Sequence, residues 1–199
     1  MSKTDGDSSK RQQKKALRWA LTIFLVTIAV SATISFVSGE VMDRSSMAVA
    51  FLILLFIVAV GIVFDIVGVA VTSADEKPFH SMASRRVSGA REAIRLLRNA
   101  EKVSSICNDV VGDICGVVSG AASATIAARA IVYLDFSWPQ LVSLGMSALV
   151  AGLTVGGKAI GKTVAMNSCT EIVFLVGQIL ATFDRWKNWP RKKITKKKG

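Results

Sequence analysis

Long apolar runs alternate with short charged stretches along this chain. Four runs are nearly free of charge, at about residues 17–38, 47–73, 103–133 and 140–166. Each exceeds the ~20 residues that a helix needs to cross ~30 Å of hydrocarbon. The pattern predicts an all-α integral membrane protein with four transmembrane helices. Residues 1–16, "MSKTDGDSSKRQQKKA", are polar and are expected to form a disordered basic tail. A first span and outer connector then occupy 17–46. The second run stops at "VTSADEKP", where Pro78 and the charges end a helix.

Between the second and third runs lies "FHSMASRRVSGAREAIRLLRNAEKV". Ala90, Ala93, Ile94, Leu97 and Val103 recur at helical spacing, while Arg91, Arg95, Arg98 and Lys102 take the other face. This reads as a basic amphipathic juxtamembrane helix, suited to the inner membrane surface, or as a plain loop helix. After the fourth run, "NSCTEIVFLVGQILATFDRW" opens with a capping-box pattern from Ser168 to Glu171 and closes at Asp184 and Arg185. It is expected to be a C-terminal interfacial helix, with Trp186 and Trp189 at headgroup level. A basic tail occupies 187–199. Gly112, Gly116 and Gly120 form a small-residue ridge on the third run, and Gly145, Gly152, Gly156, Gly157 and Gly161 do the same on the fourth. Such ridges let helix backbones approach closely.

Composition agrees with a membrane chain: 51% of residues are hydrophobic and mean hydropathy is +0.47. The net charge of +11 invites a nucleic-acid reading, but the location of the charges favours the positive-inside rule. Lys and Arg crowd residues 1–18, 75–102 and 167–199, whereas the connectors at 39–46 and 134–139 hold only Arg44. Both termini are therefore expected on the cytoplasmic side of a multi-pass plasma-membrane protein. The basic tails suit anionic lipid headgroups, and no nucleic-acid partner is expected. A secretory signal at the N-terminus is the competing reading, but its apolar run is long and its cleavage would leave the termini on opposite sides.

Motifs for soluble chemistry are weak. Cys107 and Cys115 lie eight positions apart, ~12 Å along a helix, too far for a disulfide. His80 has no companion ligands. "GLTVGGKAIGK" lacks the spacing of a phosphate-binding loop. No catalytic constellation is present, so an enzyme is not expected.

The carboxylates within the spans carry more information. Asp65, Asp109 and Asp113 fall in or near the bilayer, where a charge costs at least ~2.5–3.5 kcal/mol on insertion scales. Asp109 and Asp113 share a helix face, with Asn108 and Ser105 close to it. Alternating span directions bring both clusters toward the cytoplasmic half. Oxygen ligands of this kind suit Mg2+ or Ca2+. Structural pairing with Lys102, Lys158 or Lys162, and a proton relay, are the other readings.

The order of pieces over residues 47–186 resembles the transmembrane domain of the CNNM/CorC family of magnesium transporters. "SGAREAIRLLRNAEKVSSICNDVVGD" is similar to that family's juxtamembrane pattern G-A-x-x-A-x-x-L-L-x-N-x-E and to the start of its I-G-N-N-x-x-N span. Asn108 and Asp109 fall on the paired asparagines, and Gly112 on the last one, with Asp113 beside it. "FDIVGVAVTSA" resembles the first-span motif, with Asp65 on its serine and Gly68 on its glutamate. "GKAIGKTVAMNSCTEI" resembles the last motif, with Lys158 in place of glutamate and Gly161 in place of proline. The resemblance implies a homodimer whose cavity passes Mg2+, often against Na+ as coupling ion. The first span is then an addition to three family-like ones. The cytoplasmic CBS-pair and C-terminal domains are expected to be missing from this chain. Asp65, Asn108, Asp109 and Asp113 are the expected metal ligands. A non-transporting membrane scaffold or accessory subunit is the alternative, and a holin-like pore ranks last because it needs no buried carboxylates.

Overall fold

A computed structural model describes residues 3–134 and 138–195, with side chains described for 17–42, 44–133 and 138–184. Among the described residues every regular element is helical. The helices are α1 (Lys3–Arg44), α2 (Met47–Ser73), α3 (Lys77–Ser84), α4 (Ala90–Leu97) and α5 (Ala100–Ser105), a π-helical segment (Ile106–Gly112), then α6 (Asp113–Leu134), α7 (Pro139–Asn167) and α8 (Cys169–Thr195). Four stretches are long and apolar enough to cross a membrane: Leu17–Met42, Met47–Ser73, Ala100–Tyr133 and Pro139–Asn167. They match the four apolar runs of the sequence, and the chain has the make-up of an all-α, multi-pass membrane protein. The backbone is already helical at Lys3, ahead of the expected start of the first span.

Two compact units divide the chain, Met1–Ile57 with Ile114–Val150, and Val58–Asp113 with Ala151–Gly199. In the first, α1 exposes Leu21, Phe24, Leu25, Ile28 and Phe36 along its length, as a span facing hydrocarbon must. The buried side of α6 is the stripe Val118, Ser119, Ala122, Ser123, Ile126 and Ala127. Ser119 and Ser123 sit in that apolar stripe because their hydroxyls donate back to the carbonyls of Gly116 (3.0 Å) and Gly120 (2.9 Å). Gly116 and Gly120 of the α6 ridge, and Gly145 on α7, are not where helices meet. Nothing lies within 4 Å of a Cβ placed at Gly116, Gly120 or Gly145. Arg129 donates to the Ser45 carbonyl at 3.2 Å and ties α6 to the turn before α2.

In the second unit the segment after α2 is not one amphipathic helix. Pro78 starts α3, a turn with Arg86 at φ 57° and Gly89 at φ 92° follows, and Asn99 separates α4 from α5. The predicted faces hold: Ala90, Ala93 and Leu97 are buried, and Arg91, Arg95, Arg98 and Lys102 are exposed. The cover differs from the expected membrane surface, because α4 packs on α8. Val71, Phe79, Ala93, Leu97, Ala165 and Val173 form one buried cluster, with Ile94, Ile172 and Phe174 around it. Close approach there depends on Gly177. A Cβ at that position would lie 2.5 Å from the Gly89 carbonyl oxygen and 3.1 Å from the Ala93 Cβ. The capping box at Ser168 does not form among the described residues. Ser168 is the residue between α7 and α8: its N–H donates to the Val164 carbonyl and its carbonyl accepts from Ile172 N, both 3.0 Å. The side chains of Trp186 and Trp189, expected as anchors, lie outside the described residues.

Gly177→Ala is expected to cost ~1–3 kcal/mol by overpacking against backbone. Gly116→Ala, in open space, is expected to hold or raise stability, since alanine favours a helix by ~1 kcal/mol. Thermal midpoints in detergent, read by size-exclusion of heated samples, check the contrast.

Candidate functional site

Three elements of the second unit meet around Asp65. Ile62, Asp65, Ile66 and Gly68 lie along α2. Ile62 lies against Gly157 and Ile66 against Gly161, where a Cβ would come within 2.8 Å of the Ile66 Cγ1. The register ascends on both helices, so α2 and α7 run parallel here. That is the direction expected of the second and fourth spans of an alternating bundle. Bare glycine backbone on α7 lets α2 approach, and Lys158, between those glycines, reaches Asp65. Its Nζ lies 3.5 Å from the Asp65 Oδ1, with side chains 28% and 16% exposed.

The third element is the π-helical segment. Its widened turn carries Asn108 toward α2, where the Asn108 Oδ1 contacts the position a Gly68 Cβ would take. The Asn108 Nδ2 donates to the Ser104 Oγ at 3.3 Å, while the Oδ1 is buried with no hydrogen-bond partner. At the far end of the segment, a Cβ on Gly112 would lie 3.3 Å from the Lys158 Nζ. Residue 112 thus leaves room for the ammonium. Such π-helical turns recur at functional sites because they break the regular ladder.

The four sequence-predicted ligands separate into different roles. Asp65 is ion-paired with Lys158, the structural pairing that the sequence left open. Asn108 donates to Ser104. Asp109 and Asp113 are both exposed, consistent with their shared face, and neither has an ion-pair or hydrogen-bond partner among the described residues. Among the described residues no three His, Cys, Asp or Glu side chains come together as a group able to hold a metal ion. One copy of the chain therefore does not assemble the predicted ligands into a closed cage. Ser104 was missed in the sequence, although its position four before Asn108 is the spacing at which helical side chains meet.

No protein-family model matches this chain, and no curated protein or solved structure matches it.

Asp65→Asn is expected to destabilise more than the double change Asp65→Asn with Lys158→Gln, because the single change strands an ammonium inside the fold. A coupling of ~1–3 kcal/mol from the four-way cycle is expected. Denaturation midpoints of the four proteins measure it, and additive effects would mean that the pair is not energetically coupled.

Proposed function

We propose that the chain moves a divalent cation, Mg2+ foremost, across the membrane along a polar path that includes Asp109 and Asp113. One observation carries this reading. Two carboxylates are exposed on a membrane-length helix, with no partner among the described residues. Facing lipid, each would cost at least ~2.5–3.5 kcal/mol. A water-filled cavity or a second copy of the chain removes that cost, so both are expected to line a cavity at a homodimer interface. Carboxylate oxygens suit Mg2+, which keeps much of its water and needs few protein ligands. Asn108, with an unsatisfied amide oxygen, is a further candidate ligand. The residues that resemble the CNNM/CorC pattern support the same reading, including Na+ as a coupling ion. Movement of a near-midplane site between two exposures is the expected mechanism class.

The cytoplasmic side is assigned to both termini, in a plasma membrane, on the strength of the charge map. The α3–α4 and α8 pair then forms a juxtamembrane platform on that side. Its exposed Arg91, Arg95 and Arg98 suit anionic headgroups. A second reading is favoured by the Asp65–Lys158 contact. A carboxylate neutralised within the chain fits a membrane scaffold or accessory subunit that moves no ion.

Purified protein in liposomes loaded with a Mg2+-sensitive dye is expected to equilibrate Mg2+. Asp109→Ala and Asp113→Ala should each reduce the rate at least tenfold, about 1.4 kcal/mol on the barrier. No flux, or flux that ignores both substitutions, would leave the scaffold reading in its place. Tags at the two termini are expected to be shielded from protease in intact cells and cut after permeabilisation.

A further inference from the structure

We infer that the Lys158 ammonium is a tethered cation that screens the Asp65 carboxylate by charge, admitting a divalent ion there and turning away a monovalent one. The inference rests on the transport reading and names what sets its ion selectivity. Four features of the second unit lead to it. The Nζ–Oδ1 separation of 3.5 Å is longer than the ~2.7–2.9 Å of a charge-assisted hydrogen bond, so the contact is an ion pair without a direct hydrogen bond. Both side chains retain exposure, 28% for Lys158 and 16% for Asp65, so the pair is not sealed within the helix packing. Glycine at 112 keeps the space beside the Nζ free of a side chain, with a Cβ there only 3.3 Å away. One helical turn along α2 from Asp65, the Asn108 Oδ1 over Gly68 is buried and without a donor.

Charge arithmetic supplies the selectivity. Asp65 and Lys158 sum to zero. A monovalent ion that displaces the ammonium replaces one positive charge by another and also has to leave its water. A divalent ion brings twice the charge to the same carboxylate, and hard oxygen ligands favour it further. Lysine suits the role because its ammonium is a compact point charge on a flexible stem. It can leave the carboxylate by side-chain rotation, with no proton transferred and no bond broken. Arginine at this position would hold a carboxylate through two parallel bonds and open less readily.

The unaltered protein tests this directly. In liposomes, a small membrane-permeant acylating reagent should modify Lys158 faster when Mg2+ is added, by about tenfold at saturation, because the ion shifts the pair toward its open state. Na+ at matched ionic strength should leave the rate unchanged, and the exposed Lys162, read in the same peptide digest by mass spectrometry, should be unaffected by either ion. Asp65→Asn should give fast Lys158 modification in all conditions. Lys158→Met should bind Mg2+ about tenfold more tightly by calorimetry and should now let Na+ compete. Modification of Lys158 that ignores Mg2+, or that rises equally with Na+, overturns the inference, as does Asp65→Asn without effect on the rate. The labelling requires no flux. Absent flux with Mg2+-enhanced labelling discards transport and keeps the tethered cation. Flux dependent on Asp109 and Asp113 with unmoved labelling does the reverse.

Discussion

Hydrocarbon offers no partner to a charge, and the second unit is organised around that constraint. Asp65 on α2 is met by Lys158 on α7. The close approach is eased because α7 presents glycine on either side of the lysine, at Gly157 and Gly161, against Ile62 and Ile66. Apolar packing and ion pairing are thus one contact with two components. The isoleucines supply close van der Waals contact, and the same register delivers the ammonium. Gly112 on the π-helical segment yields the last space needed. A side chain at any of these glycines would separate the helices or crowd the pair.

The π-helical segment answers a related demand. An uninterrupted α-helix from Ala100 to Leu134 would keep one regular periodicity for its polar and apolar residues. The widened turn at Ile106–Gly112 resets it. Asn108 turns inward to Ser104 and Gly68, while Asp109 and Asp113 stay exposed. Beyond it, α6 buries the stripe from Val118 to Ala127 and leaves the glycine ridge open. A buried amide oxygen without a donor is costly, of the order of 1–3 kcal/mol.

Much of this was legible in the residue pattern, and the misses have physical causes. Span limits depend on hydrophobic length alone, so the four runs reappear nearly unchanged as helices. The polar and apolar faces of 90–102 also follow from local periodicity. Which surface covers an apolar face does not, and α8 takes the place that the pattern assigned to the membrane. Gly89, at φ 92°, and Gly177 permit that docking, and neither differs by sequence from the open glycines at 116 and 120. The capping pattern at Ser168 was legible in part: Ser168 is the non-helical residue between α7 and α8 and its carbonyl accepts the Ile172 N–H as an N-cap's does, but the side-chain half of the box is not made.

By itself the sequence determined that this is a helical membrane chain, where its spans lie, and that Asp65, Asp109 and Asp113 are charges set at or near lipid depth. Those properties follow from transfer free energies and helical spacing, which each residue carries wherever it goes. Only the tertiary structure decided which carboxylate is neutralised. Asp65, Asp109 and Asp113 are chemically alike, and lysines at 102, 158 and 162 were all candidate partners. The register of α2 on α7 brings Lys158 to Asp65 and leaves the other two carboxylates exposed, because a salt bridge is a matter of a few ångströms across helices distant in sequence.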